Sequence, residues 1–140
     1  MKNILITSVL VFSLISCLNK HKNDVILNND QNIRKENFDI FFDRFNNDSV
    51  FQISRIIFPL NNEIYDFESD KFFKEKIKQE NWKYFNFATL SKKYITTLDK
   101  IKEDEVKLNI QIVDTGVNID YFFTFKSNKW VLVKIIDQST

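Results

Sequence analysis

The chain has 140 residues, with 20 Lys and Arg against 19 Asp and Glu and a formal net charge of +1. Charges so evenly matched and interspersed lack the basic stripe of a nucleic-acid surface, so no nucleic acid is expected as a partner. The single Gly excludes a glycine-rich phosphate loop, and one Cys with one His exclude a zinc-type ligand set, so no metal and no cofactor are expected.

At the N-terminus, Lys2 precedes a mostly apolar run from Ile4 to Ile15, relieved by Thr7, Ser8 and Ser13. A bilayer core takes about 20 apolar residues in a helix, so this run has the length of a secretion-signal core instead. It ends Leu14-Ile15-Ser16-Cys17, which resembles the bacterial lipobox of an aliphatic residue, a small residue and Cys. The resemblance implies cleavage before Cys17 and acylation of its thiol and new amine. A lone Cys in an exported protein has no internal disulfide partner, which fits lipidation. Two or more acyl chains hold stably where one does not. We therefore read residues 1–16 as a lipoprotein signal peptide, 17–35 as the lipidated Cys17 with a polar tether, and 36–140 as one domain. His21 falls in the tether, so no Cys–His or Ser–His nucleophile is available to the domain. Leu18 follows the anchor where inner-membrane lipoproteins often carry Asp. By resemblance to those sorting rules, the outer membrane is expected, with the domain facing the periplasm.

Within the domain, Phe38, Phe41, Phe42 and Phe45 fall at i, i+3, i+4 and i+7 of a helix spanning Glu36 to Asn46. Asn46-Asn47-Asp48 breaks it, and Ser49 with Gln52 matches a capping box opening a second short helix. Pro59 ends helix by Phe58, so Arg55 to Leu60 leaves as an extended piece. Asn61 to Asp66 reads as a loop or edge segment. Ser69 or Asp70 begins a third helix running to about Asn81, with Phe72, Phe73, Lys76 and Ile77 on one face. Trp82 to Phe87 reads as extended, while Leu90 to Ile101 fits helix and strand alike. Val106, Leu108, Ile110 and Ile112 then alternate with polar residues as a strand. Asp114-Thr115-Gly116 turns into a second alternating run from Val117 to Phe125. Ser127-Asn128 turns into the last strand, Trp130 to Ile136.

Helices first and an antiparallel three-strand meander last give an α+β domain, with N-terminal helices packed on a curved antiparallel sheet. This order is similar to the cone-shaped fold of ketosteroid isomerase and the nuclear transport factor family, as is the closing Asn128-Lys129-Trp130-Val131-Leu132-Val133-Lys134-Ile135-Ile136-Asp137. Phe41-Phe42, Phe45, Asp48, Phe51-Gln52, Arg55, Phe58-Pro59-Leu60 and Trp82 resemble a domain-of-unknown-function family of Bacteroidetes lipoproteins. That resemblance covers Phe38 to Asp137. It implies a cone-like fold and supplies no activity.

Several polar groups are candidates for chemistry. Asp48, Gln52 and Arg55 share one side of the second helix. Arg55 with Gln52 forms a possible site for an anionic ligand, or else Asp48 pairs with Arg55 to fix the turn out of the helix. Tyr84, Tyr94 and Tyr121 are possible donors to a ligand, and Asp120 is either solvated or cone-lining. Asp66, Glu68 and Asp70 have a calcium-like spacing but lack the Gly and distant Glu of such loops. Asp48-Ser49-Val50 also resembles an O-glycosylation site, with helix capping competing for the same hydroxyl. The reading is a non-enzymatic domain that binds a small molecule or an envelope protein, with Arg55, Gln52, Tyr84 and Tyr121 as possible ligand contacts. A cone-interior enzyme using a carboxylate base and a structural homodimer are the alternatives.

Overall fold

The computed structural model describes residues 35–90 and 93–140. The signal peptide, Cys17, His21 and the tether up to residue 34 lie outside the described residues. Helix α1, Phe38–Asn47, is capped by Asn37, whose side chain accepts from the Ile40 N–H at 3.1 Å. Its aromatic stripe faces the sheet as the spacing requires. The rings of Phe38, Phe41, Phe42 and Phe45 all lie 5.4–5.9 Å from the ring of Phe123. Edge-on packing of this kind adds about 0.5–1.5 kcal/mol per pair beyond area burial.

Helix α2, Ser49–Ser54, starts one residue earlier than the capping box implies. Asp48 is the N-cap and accepts from the Phe51 N–H at 2.9 Å. That bond, with the charge of Arg44 adding to it, holds the Asp48 carboxyl below its ordinary pKa. Gln52 does not reach back to the helix start; it is fully buried.

Strand β1, Ile56–Asp66, contains Asn61–Asp66, which is therefore paired strand and not a loop or edge. Its ladder to the last strand is irregular between Ile56 and Asn61, the stretch where Pro59 cannot donate a hydrogen bond. The expected third helix is absent: Lys71–Ile77 is strand β2, paired to β1 from Leu60↔Ile77 to Asp66↔Lys71. Lys and Glu favour helix and Phe72, Phe73 and Ile77 fit a helical face, yet hairpin pairing overrides both. Asp70, at φ 53°, supplies the left-handed residue that the tight turn needs.

Single 3-10 turns occupy Gln79–Asn81 and Phe87–Thr89. Tyr94–Lys102 is strand β3, so the ambiguous stretch is strand from Tyr94 onward. Strands β4, Glu105–Ile112, β5, Val117–Lys126, and β6, Lys129–Asp137, form the expected meander. The β5–β6 turn has φ 52° at Ser127 and 62° at Asn128, the positive pair of a tight hairpin. Gly116 sits at φ 74°, and a β-carbon there would collide with Thr140.

The strands make one six-stranded sheet in the order β2-β1-β6-β5-β4-β3. It is mixed, because β1 and β6 run parallel while every other pair is antiparallel. Its concave face carries the core: Phe123, Leu108, Leu132, Trp130 and Ile110 pack against Phe41 and Phe45 of α1. Among the described residues no helix is long and apolar enough to cross a membrane.

Candidate functional site

Arg55 is engaged inside the domain by three hydrogen bonds. Its guanidinium donates to both carboxylate oxygens of Glu36 at 2.8 and 2.9 Å, and to the Trp130 carbonyl at 3.2 Å. Glu36 in turn accepts from the Trp130 N–H at 2.7 Å, and its carbonyl accepts from the Trp130 indole at 3.0 Å. The expected pairing of Arg55 with Asp48 is replaced by this one, and Asp48 lies instead 3.5 Å from Arg44. Local spacing contained no signal for Glu36, which precedes Arg55 by 19 residues. This cluster fastens the start of the domain to α2 and to β6.

Gln52 and Tyr84 are occupied in the same way. Gln52 donates to the Phe45 and Phe85 carbonyls at 3.0 and 2.8 Å. Its oxygen accepts from the Trp82 indole at 3.0 Å and the Phe85 N–H at 3.3 Å. The Tyr84 hydroxyl donates to the Asn46 carbonyl, and the Asn46 side chain accepts from the Phe87 N–H at 3.3 Å. The segment from Trp82 to Phe87 has no strand partner, so these side chains satisfy its backbone where a ladder would. Ser49, relieved of capping, is exposed at the surface.

Tyr121 lies apart from those three, on the concave face of β5 and 4.8 Å from the ring of Phe87. Burial, with the negative charge of Asp137 adding to it, pushes its phenol up to about 12. Tyr121 therefore stays protonated at neutral pH. Asp120 is on the opposite, convex face, where it accepts from Asn109 at 2.8 Å. Tyr94 begins β3 at the edge of the core. Asp66, Glu68 and Asp70 close the β1–β2 hairpin: Asp66 accepts from the backbone of Glu68 and Ser69, and Tyr65 donates to Asp70. Among the described residues no group of His, Cys, Asp or Glu is placed to hold a metal.

The concave face is covered by the helices in its middle and is open toward β3. There a cleft of about 510 Å³ separates the start of α1 from β3 and β4. Leu98 points inward from β3 but stays 47% exposed, because among the described residues neither α1 nor α2 covers it. With Phe38, Val106 and Trp130 it makes an apolar floor. The rim is charged, with Lys35 and Lys100 facing Glu36, Asp39 and Glu103. Lys35 is tied by a 3.1 Å bond to the Glu103 carbonyl and lies over the ring of Phe125. Sequence periodicity missed this cleft, since Leu98 belongs to the stretch that fits helix and strand equally.

No family model and no curated protein matches the chain. Among solved structures, an NTF2-like protein from Bacteroides fragilis superposes with a TM-score of 0.59 at 22% identity, covering 76% of this chain and 49% of that one. The chain has an NTF2-like fold. A cystatin-like protein from Bacteroides caccae matches with a TM-score of 0.56 at 18% identity, over 73% of this chain and 76% of that one. A protein from Bacteroides uniformis matches at 0.53 and 18%, over 72% and 76%. These likenesses establish fold, and they bear out the cone-like α+β architecture expected for Phe38 to Asp137. This NTF2-like chain spans about half the length of the Bacteroides fragilis protein.

Proposed function

We propose that this chain is a membrane-tethered lipoprotein whose NTF2-like domain binds a small amphiphilic molecule in the cleft between α1 and β3, without chemistry on it. The observation that carries the reading is Leu98, an inward-facing leucine left uncovered above an apolar floor and beneath a charged rim. Clefts of ~300–1,000 Å³ with apolar walls and a few polar groups are the usual small-molecule sites. The tether rests on the Leu14-Ile15-Ser16-Cys17 pattern.

Two measurements test the two halves. Mass spectrometry of the native N-terminus is expected to find Cys17 acylated and first in the chain; cleavage elsewhere, or an unmodified Cys17, removes the tether. For the cleft, melting temperatures of the full chain are recorded across a panel of metabolites and amphiphiles. A ligand at ten times its Kd stabilises the native state by about 1.4 kcal/mol, or several degrees for a domain of this size. That shift should vanish in Leu98→Trp, which fills the cleft from an exposed position without disturbing the core. An equal shift in that variant removes the cleft from the reading.

A second reading rests on Tyr121 and Asp137, which share the concave face on neighbouring strands, Tyr121 opposite Ile135 and Asp137 opposite Ile119. An enzyme of this kind uses Asp137 as base and Tyr121 as donor. It requires a turnover that Asp137→Asn abolishes while ligand binding persists. Assembly through the convex face is less favoured, because Asn109, Asp120 and Lys107 interrupt its apolar Phe122 and Ile136 with polar and charged groups.

A further inference from the structure

We propose that the convex face of the sheet holds a second site, a polar groove across β3, β4 and β5 that takes a neutral saccharide. The groove has a volume of about 430 Å³ and lies on the opposite face from the Leu98 cleft. Its residues alternate along β4 with core residues: Lys107, Asn109 and Gln111 point out where Val106, Leu108 and Ile110 point in. At its centre the Asn109 amide donates to Asn118 and to Asp120, both at 2.8 Å. The Asn118 amide continues the row to Gln138 at 3.3 Å. Lys107 bridges Asp99 at 3.4 Å and Asp120 at 3.8 Å.

Three properties of this row select the ligand. First, it is preorganised: Asn109 is 9% exposed, and its amide is fixed by two acceptors, so binding orders little that is not already ordered. Second, both kinds of hydrogen-bonding group remain for a ligand. Among the described residues, the Asn109 carbonyl oxygen and the second Asp120 oxygen offer acceptors, and the Gln138 amide nitrogen and the Lys107 ammonium offer donors. A molecule that donates and accepts along its whole length satisfies such a row, which is the property of adjacent hydroxyls. Third, two carboxylates flank one lysine, so the groove carries a net negative charge and disfavours phosphate or carboxylate ligands. The ring of Phe122, register partner of Lys107, is covered by Lys134 at 4.5 Å, so it offers no open stacking platform. Recognition therefore rests on hydrogen bonds, and affinity in the millimolar range is expected.

The test is an NMR titration of the full, nitrogen-labelled chain in detergent micelles with maltohexaose, cellohexaose and xylohexaose, each to ~20 mM, as this affinity range requires. The expected result is a saturable shift of the Asn109, Asn118 and Gln138 side-chain amides with at least one sugar and none with inorganic phosphate. The variant Gln111→Ala/Gln138→Ala, which removes only two groups at the groove margin, should weaken that response at least fivefold. Any of three results overturns the proposal: silence of these amides toward all three sugars, an unchanged response in the variant, or shifts confined to the Leu98 cleft. A shift of the same amides on simple dilution of the protein also overturns it, since the face then pairs with a second copy. Binding at the Leu98 cleft is read separately and can fail or succeed without affecting this result.

Discussion

Glu36 and Arg55 meet because the chain before α1 crosses the edge of the core beside Trp130. The pair is partly screened, with side chains 15% and 24% exposed, so its net contribution is modest. Breaking it from one side costs more, because the partner is left desolvated. Arg55→Ala should therefore lower unfolding stability by about 1–3 kcal/mol. Glu36→Ala/Arg55→Ala should lose less than the sum of the single changes, while Asp48→Ala/Arg55→Ala should be additive, since Asp48 touches neither member. Denaturant unfolding of these variants decides the point, and coupling between Asp48 and Arg55 would contradict the geometry. Tyr121 gives a second residue-scale expectation. Its folded pKa of about 12 lies above the ordinary 10. Its stabilising effect is therefore complete below pH 10 and is lost as pH rises through 12, by about 2 kcal/mol at pH 12. Tyr121→Phe should flatten that part of the alkaline stability profile. What the sequence showed at this scale was the set of polar residues near α2, because Asp48, Gln52 and Arg55 fall at i, i+4 and i+7 on one side of that helix. Their partners were hidden, since Glu36, Trp82 and Phe85 reach Arg55 and Gln52 only through the tertiary fold.

At the scale of elements, legibility followed the strength of the local period. The four-Phe stripe of α1 and the strict alternation of β4 and β5 admit one reading each, and both formed as expected. β2 did not, because Lys71-Phe72-Phe73-Lys74-Glu75-Lys76-Ile77 fits a helical stripe and its strand state depends on the neighbouring β1. β1 likewise looked irregular because Asn61, Asn62 and Glu63 are polar, yet it lies inside the sheet between β2 and β6. The two edge strands, β2 and β3, are exposed along nearly their whole length, whereas β6 is largely buried with partners on both sides. Backbone amides on the edges open at lower free energy than those in the centre. Hydrogen exchange should thus run fastest in β2 and β3 and slowest in β5 and β6. Strong protection of Lys71–Ile77 matching that of β6 would contradict the edge placement.

For the whole molecule, the NTF2-like domain is held by the polar residues near α2, and the membrane tether and a ligand at the uncovered concave end are what we propose for it. The class of fold was legible because helices precede a meander and the closing strand is strongly apolar. The cleft was not, since it exists only where β3 extends past the reach of α1. The two tryptophans make this division measurable in one experiment. The Trp130 indole borders the cleft and donates to Glu36, whereas the Trp82 indole donates to Gln52 away from it. The full chain, labelled at both indoles, is titrated with the panel compound that raises its melting temperature most. The account predicts a saturable shift of the Trp130 indole resonance with Trp82 unmoved, and loss of that shift in Leu98→Trp. Movement of Trp82 with Trp130 silent would place the ligand near Gln52 and contradict the account.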